Sequence, residues 1–370
     1  MPGYPVENRA DRAAGIRLAS AIARGLRRIF VAPMNTRTID LVNIGLMLVS
    51  CILAFIAPFH LFLFSFAVLG PLHYFTEIPW LSRKQYFATG KYDYLLLVGF
   101  CAAIAVVFYT IPKGGVVTQA PMHTMAILGF SAFGSALALT LFRSYWQKAI
   151  GVALMVGVGL IGANYDLFTV IFANLITSII HVWLFTGAFI LFGALKNKST
   201  TGIVSLVVFA ACSVLLLTMT PSPQLDRSLS YYVKTSYLSF GGLNFDLMNT
   251  LGLAHVGHND PGLAELLFES NIGIMVMRLV AFSYTYHFLN WFSKTTVIKW
   301  HQISKRGLAI VLGLWVASLV LYAVDYQLGI QYLYVLSMLH VVLEFPLNHR
   351  TFIGIGQELK KLVVGRPATA

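Results

Sequence analysis

The sequence predicts an all-α fold, a polytopic membrane helix bundle with about ten transmembrane helices and both termini in the cytoplasm. Hydrophobic residues make up 58% of the 370-residue chain and charged residues only 11%, whereas a soluble domain carries about 25% charged residues. The apolar residues cluster in runs of roughly 20, the length that a spanning helix needs. Although the net charge is +12, the basic residues occupy short loops and termini, which is typical of membrane topology and not of nucleic-acid binding.

Ten apolar runs are long enough to cross a bilayer. Only Ala57-Pro58 separates the first two runs, which predicts a tight hairpin. The fifth and sixth runs are split at the turn-forming residues 162–166. The predicted spans are 39–57, 59–77, 92–111, 123–143, 147–163, 166–194, 202–219, 271–293, 306–325 and 328–346.

The distribution of lysine and arginine predicts the orientation. With ten spans, nearly all basic residues fall on the side of the N-terminus, and the opposite side has only Lys113, Arg227 and Lys234. Cytoplasmic loops carry such an excess. We therefore expect an integral protein of the bacterial inner (cytoplasmic) membrane.

Three parts of the chain follow from this topology. Residues 1–37 form a basic amphipathic N-terminal segment, residues 38–347 form the bundle with an outer loop at about 220–270, and residues 348–370 form a basic cytoplasmic tail. Within the first part, the arginine-rich stretch 9–31 predicts an amphipathic helix in contact with anionic membrane lipids. Docking to a membrane protein partner is the alternative role of this helix.

Ionisable side chains inside the bilayer are costly and seldom face lipid. Two of the predicted spans end in the same pattern, His-x-x-x-Glu-apolar-Pro, as His73 with Glu77 and as His340 with Glu344. Residues four apart share one face of a helix, so each motif presents an imidazole and a carboxylate together. We expect the following proline to end each helix near the membrane surface.

Two further histidines lie within spans at compatible depths: His181 in the sixth and His287 in the eighth. Imidazole and carboxylate groups from several helices are the ligands of iron sites in helical bundles, and two glutamates balance one divalent ion. The sequence therefore predicts a metal site, with non-haem iron as the suspected metal. Zinc and manganese are chemically compatible. The predicted metal ligands are His73, Glu77, His181, His287, His340 and Glu344.

The histidine-bearing spans resemble the Brp/Blh family of membrane β-carotene 15,15′-dioxygenases. The similar stretches are Tyr284–Trp291, continuing to His301, and Met338-Leu339-His340, whereas only Pro71-Leu72-His73 approaches the family's early Pro-His-Gly motif. The glutamates also depart from the family's ligand pattern. The resemblance implies an iron-dependent membrane enzyme that cleaves a carotenoid with dioxygen.

The expected function is a metal-dependent oxygenase acting on an apolar lipid-like or isoprenoid substrate. Three alternatives remain open from the sequence. The first is a haem protein, because histidines on facing helices also ligate haem. The second is a proton-coupled transporter, because intramembrane histidine and glutamate also relay protons. The third is a non-catalytic subunit of a larger membrane complex, in which such residues would form buried hydrogen-bonded pairs. Against a transporter, the sequence has neither an inverted repeat nor a clear pair of broken helices.

Overall fold

A computed structural model describes residues 35–111, 119–221, 229–257, 262–294 and 304–364. Within these ranges the chain is helical and has no strand. Nine helices of the described residues are long and apolar enough to cross a membrane, and the helix Tyr94–Thr110 is apolar but one residue shorter than the shortest of them. The predicted all-α membrane bundle is confirmed. The predicted amphipathic stretch 9–31 lies outside the described residues.

The helices follow one another with short connections. In chain order their bounds are α1 Thr36–Ile56, α2 Pro58–Phe64, α3 Gly70–Arg83, α4 Tyr94–Thr110, α5 Gln119–Leu141, α6 Tyr145–Gly162, α7 Asp166–Ala173, α8 Thr186–Asn197, α9 Thr200–Thr218, α10 Tyr231–Leu238, α11 Gly241–Thr250, α12 Leu263–Phe268, α13 Asn271–Ser293, α14 Lys305–Val324 and α15 Tyr326–Val364. The hairpin at Ala57-Pro58 and the split between the fifth and sixth spans are both present.

Helix α13 lies in the middle of the bundle. In its most apolar stretch 83% of the residues are buried, against 11% in α6 and in α14, which lie at the periphery with their apolar side chains exposed. Two hydrophobic clusters fill the interior. One surrounds α13 with α1, α2 and α9, and the other joins α15 to α4 and α5. Helix α3 contributes to both clusters, so its polar residues lie where the two meet.

The sixth predicted span, 166–194, is not one continuous helix. It ends as α7 at Ala173, makes a short 3-10 turn, and resumes as a π-helical turn, Ile180–Phe185, that leads into α8. Asn174 and Ser178 have non-helical backbone angles. The Ser178 hydroxyl donates to the Asn174 carbonyl, and the Asn174 amide donates to Asp246 of α11. Such side-chain bonds compete with the helix ladder, which accounts for the break.

The prediction that proline ends both motif helices is wrong. Pro346 lies inside α15, which runs from Tyr326 to Val364, and Pro79 lies inside α3. A proline removes one backbone hydrogen bond, and membrane helices tolerate this loss when neighbouring helices pack around the site. Residues 348–364 of the predicted tail therefore continue a helix, and Gly354 packs against Phe192 of α8.

The predicted outer loop, about 220–270, also contains structure. Its described part holds α10, α11 and α12, which cover one end of the bundle. Tyr237 is fully buried there, and its hydroxyl donates to Asn244. This cap closes the end of the bundle opposite to the start of α1.

Candidate metal centre

The four intramembrane histidines meet in the interior of the bundle. His73, His287 and His340 place one ring nitrogen each within 4.8 Å of one another. The Nε2 atoms of His73 and His287 are 3.3 Å apart. The ring of His181 lies 4.8 Å from that of His287 and 5.3 Å from that of His340, measured between centroids. The sequence could not show this convergence, because it depends on how the helices are arranged.

Both motif glutamates join the histidines. Oε2 of Glu77 is 2.9 Å from His73 Nε2, and Oε2 of Glu344 is 3.5 Å from His181 Nδ1. Neither oxygen has a hydrogen bond in the described part of the chain, so these short distances do not have hydrogen-bond geometry. All six predicted residues are buried, with at most 6% of any of them exposed.

Most of the polar atoms of the centre lack a hydrogen-bond partner. Fourteen buried side-chain nitrogen or oxygen atoms of the described residues are unpaired, and seven of them belong to His73, Glu77, His181, His340 and Glu344. An unpaired buried polar atom costs about 1–3 kcal/mol, so such atoms rarely cluster without a function. A shared cation would give these lone pairs a partner.

The distances also suit a metal ion. Two nitrogens bound to one ion at about 2.0–2.1 Å in tetrahedral geometry lie about 3.4 Å apart. The His73–His287 separation of 3.3 Å is close to this value. The donor set of imidazoles and carboxylates is one that iron, manganese and zinc accept.

Two π-helical turns set the direction of the histidine-bearing segments. One, Ser65–Leu69, directly precedes α3, which carries His73. The other, Ile180–Phe185, contains His181 itself. A π turn rotates the following side chains relative to a regular α-helix, and such turns are frequent at functional sites. Neither π turn was predicted from the sequence.

Neighbouring polar groups orient the centre. The Thr186 hydroxyl lies 2.8 Å from His287 Nδ1. In the tautomer that has its proton on Nδ1, this nitrogen donates to the hydroxyl, and Nε2, 3.3 Å from His73 Nε2, keeps a lone pair for a metal. The Trp291 indole donates to the Thr76 hydroxyl at 3.0 Å, which joins α13 to α3 beside Glu77. Bonds of this kind fix the tautomer and the orientation of metal-binding histidines.

Sequence reasoning missed Thr186, beside His287, and Asn348, which lies one helical turn beyond Glu344 on α15. Thr186 is the first, and its neutral hydroxyl carried no signal. Asn348 is the second: it is buried and both of its amide atoms are unpaired. Asn348 continues the four-residue spacing of His340 and Glu344 along α15, which is the signal that could have identified it.

A cavity of about 630 Å³ leads from the centre to the end of the bundle where α1 begins. His73, Glu77, His287 and Glu344 line its inner part, and Thr36 lies among its outer residues. His181 and His340 are not among the lining residues, so they form the closed side of the centre.

Three lysines also line this cavity. They are Lys84, Lys196 and Lys294, each at or just beyond the end of a helix. Burial lowers the pKa of Lys294 to about 8, although the carboxylates of Glu344 and Glu77 favour its charged form.

Comparisons with known proteins add no relative. No protein-family model, no curated protein and no solved structure matches the chain. The function must therefore be argued from the geometry of the centre and its cavity.

Proposed function

We propose that the protein is a membrane-embedded metal-dependent oxygenase, with non-haem iron as its metal, that acts on a lipid or isoprenoid-like substrate. The observation that supports this most directly is the convergence of four buried histidines and two glutamates whose facing atoms are largely unpaired. Histidine and carboxylate ligands with an open side are typical of non-haem iron oxygenases. The cavity supplies that open side and a path for an apolar molecule.

Each part of the site has a distinct role in this proposal. The four histidines hold the metal, while Glu77 and Glu344 balance its charge and occupy or flank the positions toward the cavity. The bound metal supplies activation of dioxygen. Cleavage of a carbon–carbon double bond by dioxygen places one oxygen atom on each carbon and needs no further reductant. A carotenoid-type double bond is one substrate of that chemistry.

The geometry disfavours haem. Two axial histidines lie on opposite sides of a porphyrin. Their ligating nitrogens are therefore separated by about twice a metal–nitrogen bond of about 2.0 Å, and the macrocycle fills the space between the two rings. Here the His73 and His287 Nε2 atoms are only 3.3 Å apart, and the rings of His181 and His340 crowd the same point.

A proton-coupled transporter is the second candidate, and one observation favours it. The break between Ala173 and Ile180 interrupts a spanning segment next to His181, and broken helices at mid-membrane are a feature of transporters. Intramembrane histidines and glutamates would then relay protons without a resident metal. Metal content separates the two candidates.

The test is the metal content of purified protein, measured by plasma mass spectrometry. We expect about one or two iron atoms per chain in the wild type, and loss of the metal in both His340→Ala and Glu77→Ala. His60→Ala is the matched control, because His60 is exposed and outside the centre. Thermal unfolding and gel filtration show whether each variant is folded.

Two results would contradict the proposal. The first is a wild type that stays free of metal after reconstitution with iron, manganese and zinc in turn. The second is a variant pair that keeps full metal content. If metal is bound, the oxygenase activity is then tested by measuring oxygen uptake with membrane lipid extracts. A metal-loaded protein that consumes no oxygen would favour a different metal-dependent reaction.

A further inference from the structure

The walls of the cavity change in character from its inner end to its mouth. Histidines and glutamates lie at the inner end, and aromatic and aliphatic side chains line the middle. The middle is formed by Trp80, Phe87, Phe189, Trp291 and Leu347. Lysines line the mouth. A ligand that fits such walls is apolar along most of its length and carries one negatively charged end.

The lysines belong to the same helices as the residues of the centre. Lys84 follows Glu77 by seven residues at the end of α3, and Lys294 follows His287 by seven residues at the end of α13. Seven residues are about two helical turns, so each lysine lies on the same face as its partner in the centre, about 10 Å away along the axis. Two different helices thus place a lysine at the same distance along the helix axis from a residue of the centre.

No ion pair with another described residue neutralises these lysines. Lys148 and Lys234 do have carboxylate partners, Asp93 and Glu269. At the mouth, the Asp40 carboxylate accepts hydrogen bonds from two hydroxyl groups, those of Ser199 and Thr201.

Aromatic rings support two of the three ammonium groups. Lys294 lies over the ring of Phe189 and Lys196 over the ring of Phe192, at 5.5 and 5.6 Å from the centroids. These contacts hold the side chains beside the cavity and leave hydrogen-bond donors for an anion.

We infer that the substrate is an acidic amphiphile, with a carboxylate or phosphate end held by Lys84, Lys196 and Lys294 and an apolar chain that extends to the metal centre. This inference rests on the proposed function for the reaction but not for the binding. An extended chain advances about 1.2 Å per bond, so a spacing of about 10 Å brings a carbon roughly eight bonds from the acidic group next to the centre. The cavity volume is within the usual range for small-molecule sites.

The experiment measures binding of three probes with the same chain: palmitate, hexadecyl phosphate and hexadecanol. Binding is measured by equilibrium dialysis against purified protein in phosphatidylcholine nanodiscs, with empty nanodiscs subtracted. We expect both anions to bind at least tenfold more tightly than the alcohol. Lys84→Gln and Lys294→Gln should each reduce this preference at least threefold, and Lys234→Gln, a lysine outside the cavity, should leave it unchanged.

Equal affinity for the alcohol and the anions would overturn the inference, and so would a preference that the two variants do not reduce. Preference for one anion alone identifies the head group as a carboxylate or a phosphate. Each titration is repeated with metal-loaded and chelator-treated protein. Anion preference in a protein that never binds metal contradicts only the proposed function, and metal binding without anion preference contradicts only this inference.

Discussion

The hydroxyl of Thr186 offers the sharpest test of the centre, because it is hydrogen-bonded to a proposed metal ligand, His287. Its distance from His287 Nδ1 is 2.8 Å, and both residues are buried. In Thr186→Val the shape of the side chain is nearly kept while the hydrogen bond is lost. We expect metal affinity to fall about 10- to 100-fold, the usual effect of removing the partner of a ligating histidine.

The energy of the lost bond agrees with this factor. A tenfold change in affinity is about 1.4 kcal/mol, so the expected loss is about 1.4–2.8 kcal/mol. Leaving a buried donor unpaired costs about 1–3 kcal/mol. The loss should appear in metal binding, because the proton on Nδ1 determines whether Nε2 of His287 presents a lone pair to the ion.

The assay is competition for the metal against a chelator of known affinity, in detergent-solubilised protein. Thr186→Ser keeps the hydroxyl and should bind nearly as the wild type does. Thr285→Val is the control: Thr285 lies two residues before His287 in α13, and its hydroxyl pairs with Ser65, also at 2.8 Å. The reasoning is refuted if Thr186→Val binds metal within twofold of the wild type, or if Thr285→Val loses as much affinity.

Three further predictions concern Glu344 of the metal centre and two positions outside it, Gly129 and Lys148. Glu344→Gln removes one of the two carboxylates that would balance a bound ion, so metal affinity by chelator competition should fall at least about tenfold. Gly129→Ala should lower the unfolding temperature by an amount equivalent to about 1–3 kcal/mol, because the new Cβ would clash with the Phe172 carbonyl oxygen. Gly99→Ala has open space and should be neutral or stabilising. Lys148→Met leaves the buried Asp93 carboxylate without its ion pair, and should destabilise by about 3–5 kcal/mol in the same thermal assay.

Hydropathy predicted most of the bundle because a lipid-facing helix must be apolar along its whole length. It could not predict the break at Asn174, since that break is stabilised by Asp246, a residue 72 positions later in the chain. It also failed at Pro346. Whether a helix continues through a proline depends on how neighbouring helices pack around it, and the sequence of one helix does not contain that information.

The six ionisable residues of the centre could be predicted as candidates because ionisable side chains inside the bilayer are costly and are usually kept for a function. Their convergence could not be predicted, because the order of helices in a bundle is set by packing between distant segments. Thr186 was missed for a related reason. It follows His181 by five residues, and only the π turn between them brings these two positions onto one face.

The two sides of the metal centre differ in chemistry, because only one of them faces the cavity. His181 and His340 lie away from the cavity, whereas His73, Glu77, His287 and Glu344 line it. A catalytic metal site keeps at least one position open to substrate. An ion held by these residues would be open only toward the cavity, because hydrophobic side chains of both clusters surround the other side. Water and substrate would then share one entrance, and an apolar chain that fills the cavity would displace water from the metal at the same time as it brings the reacting carbon to it.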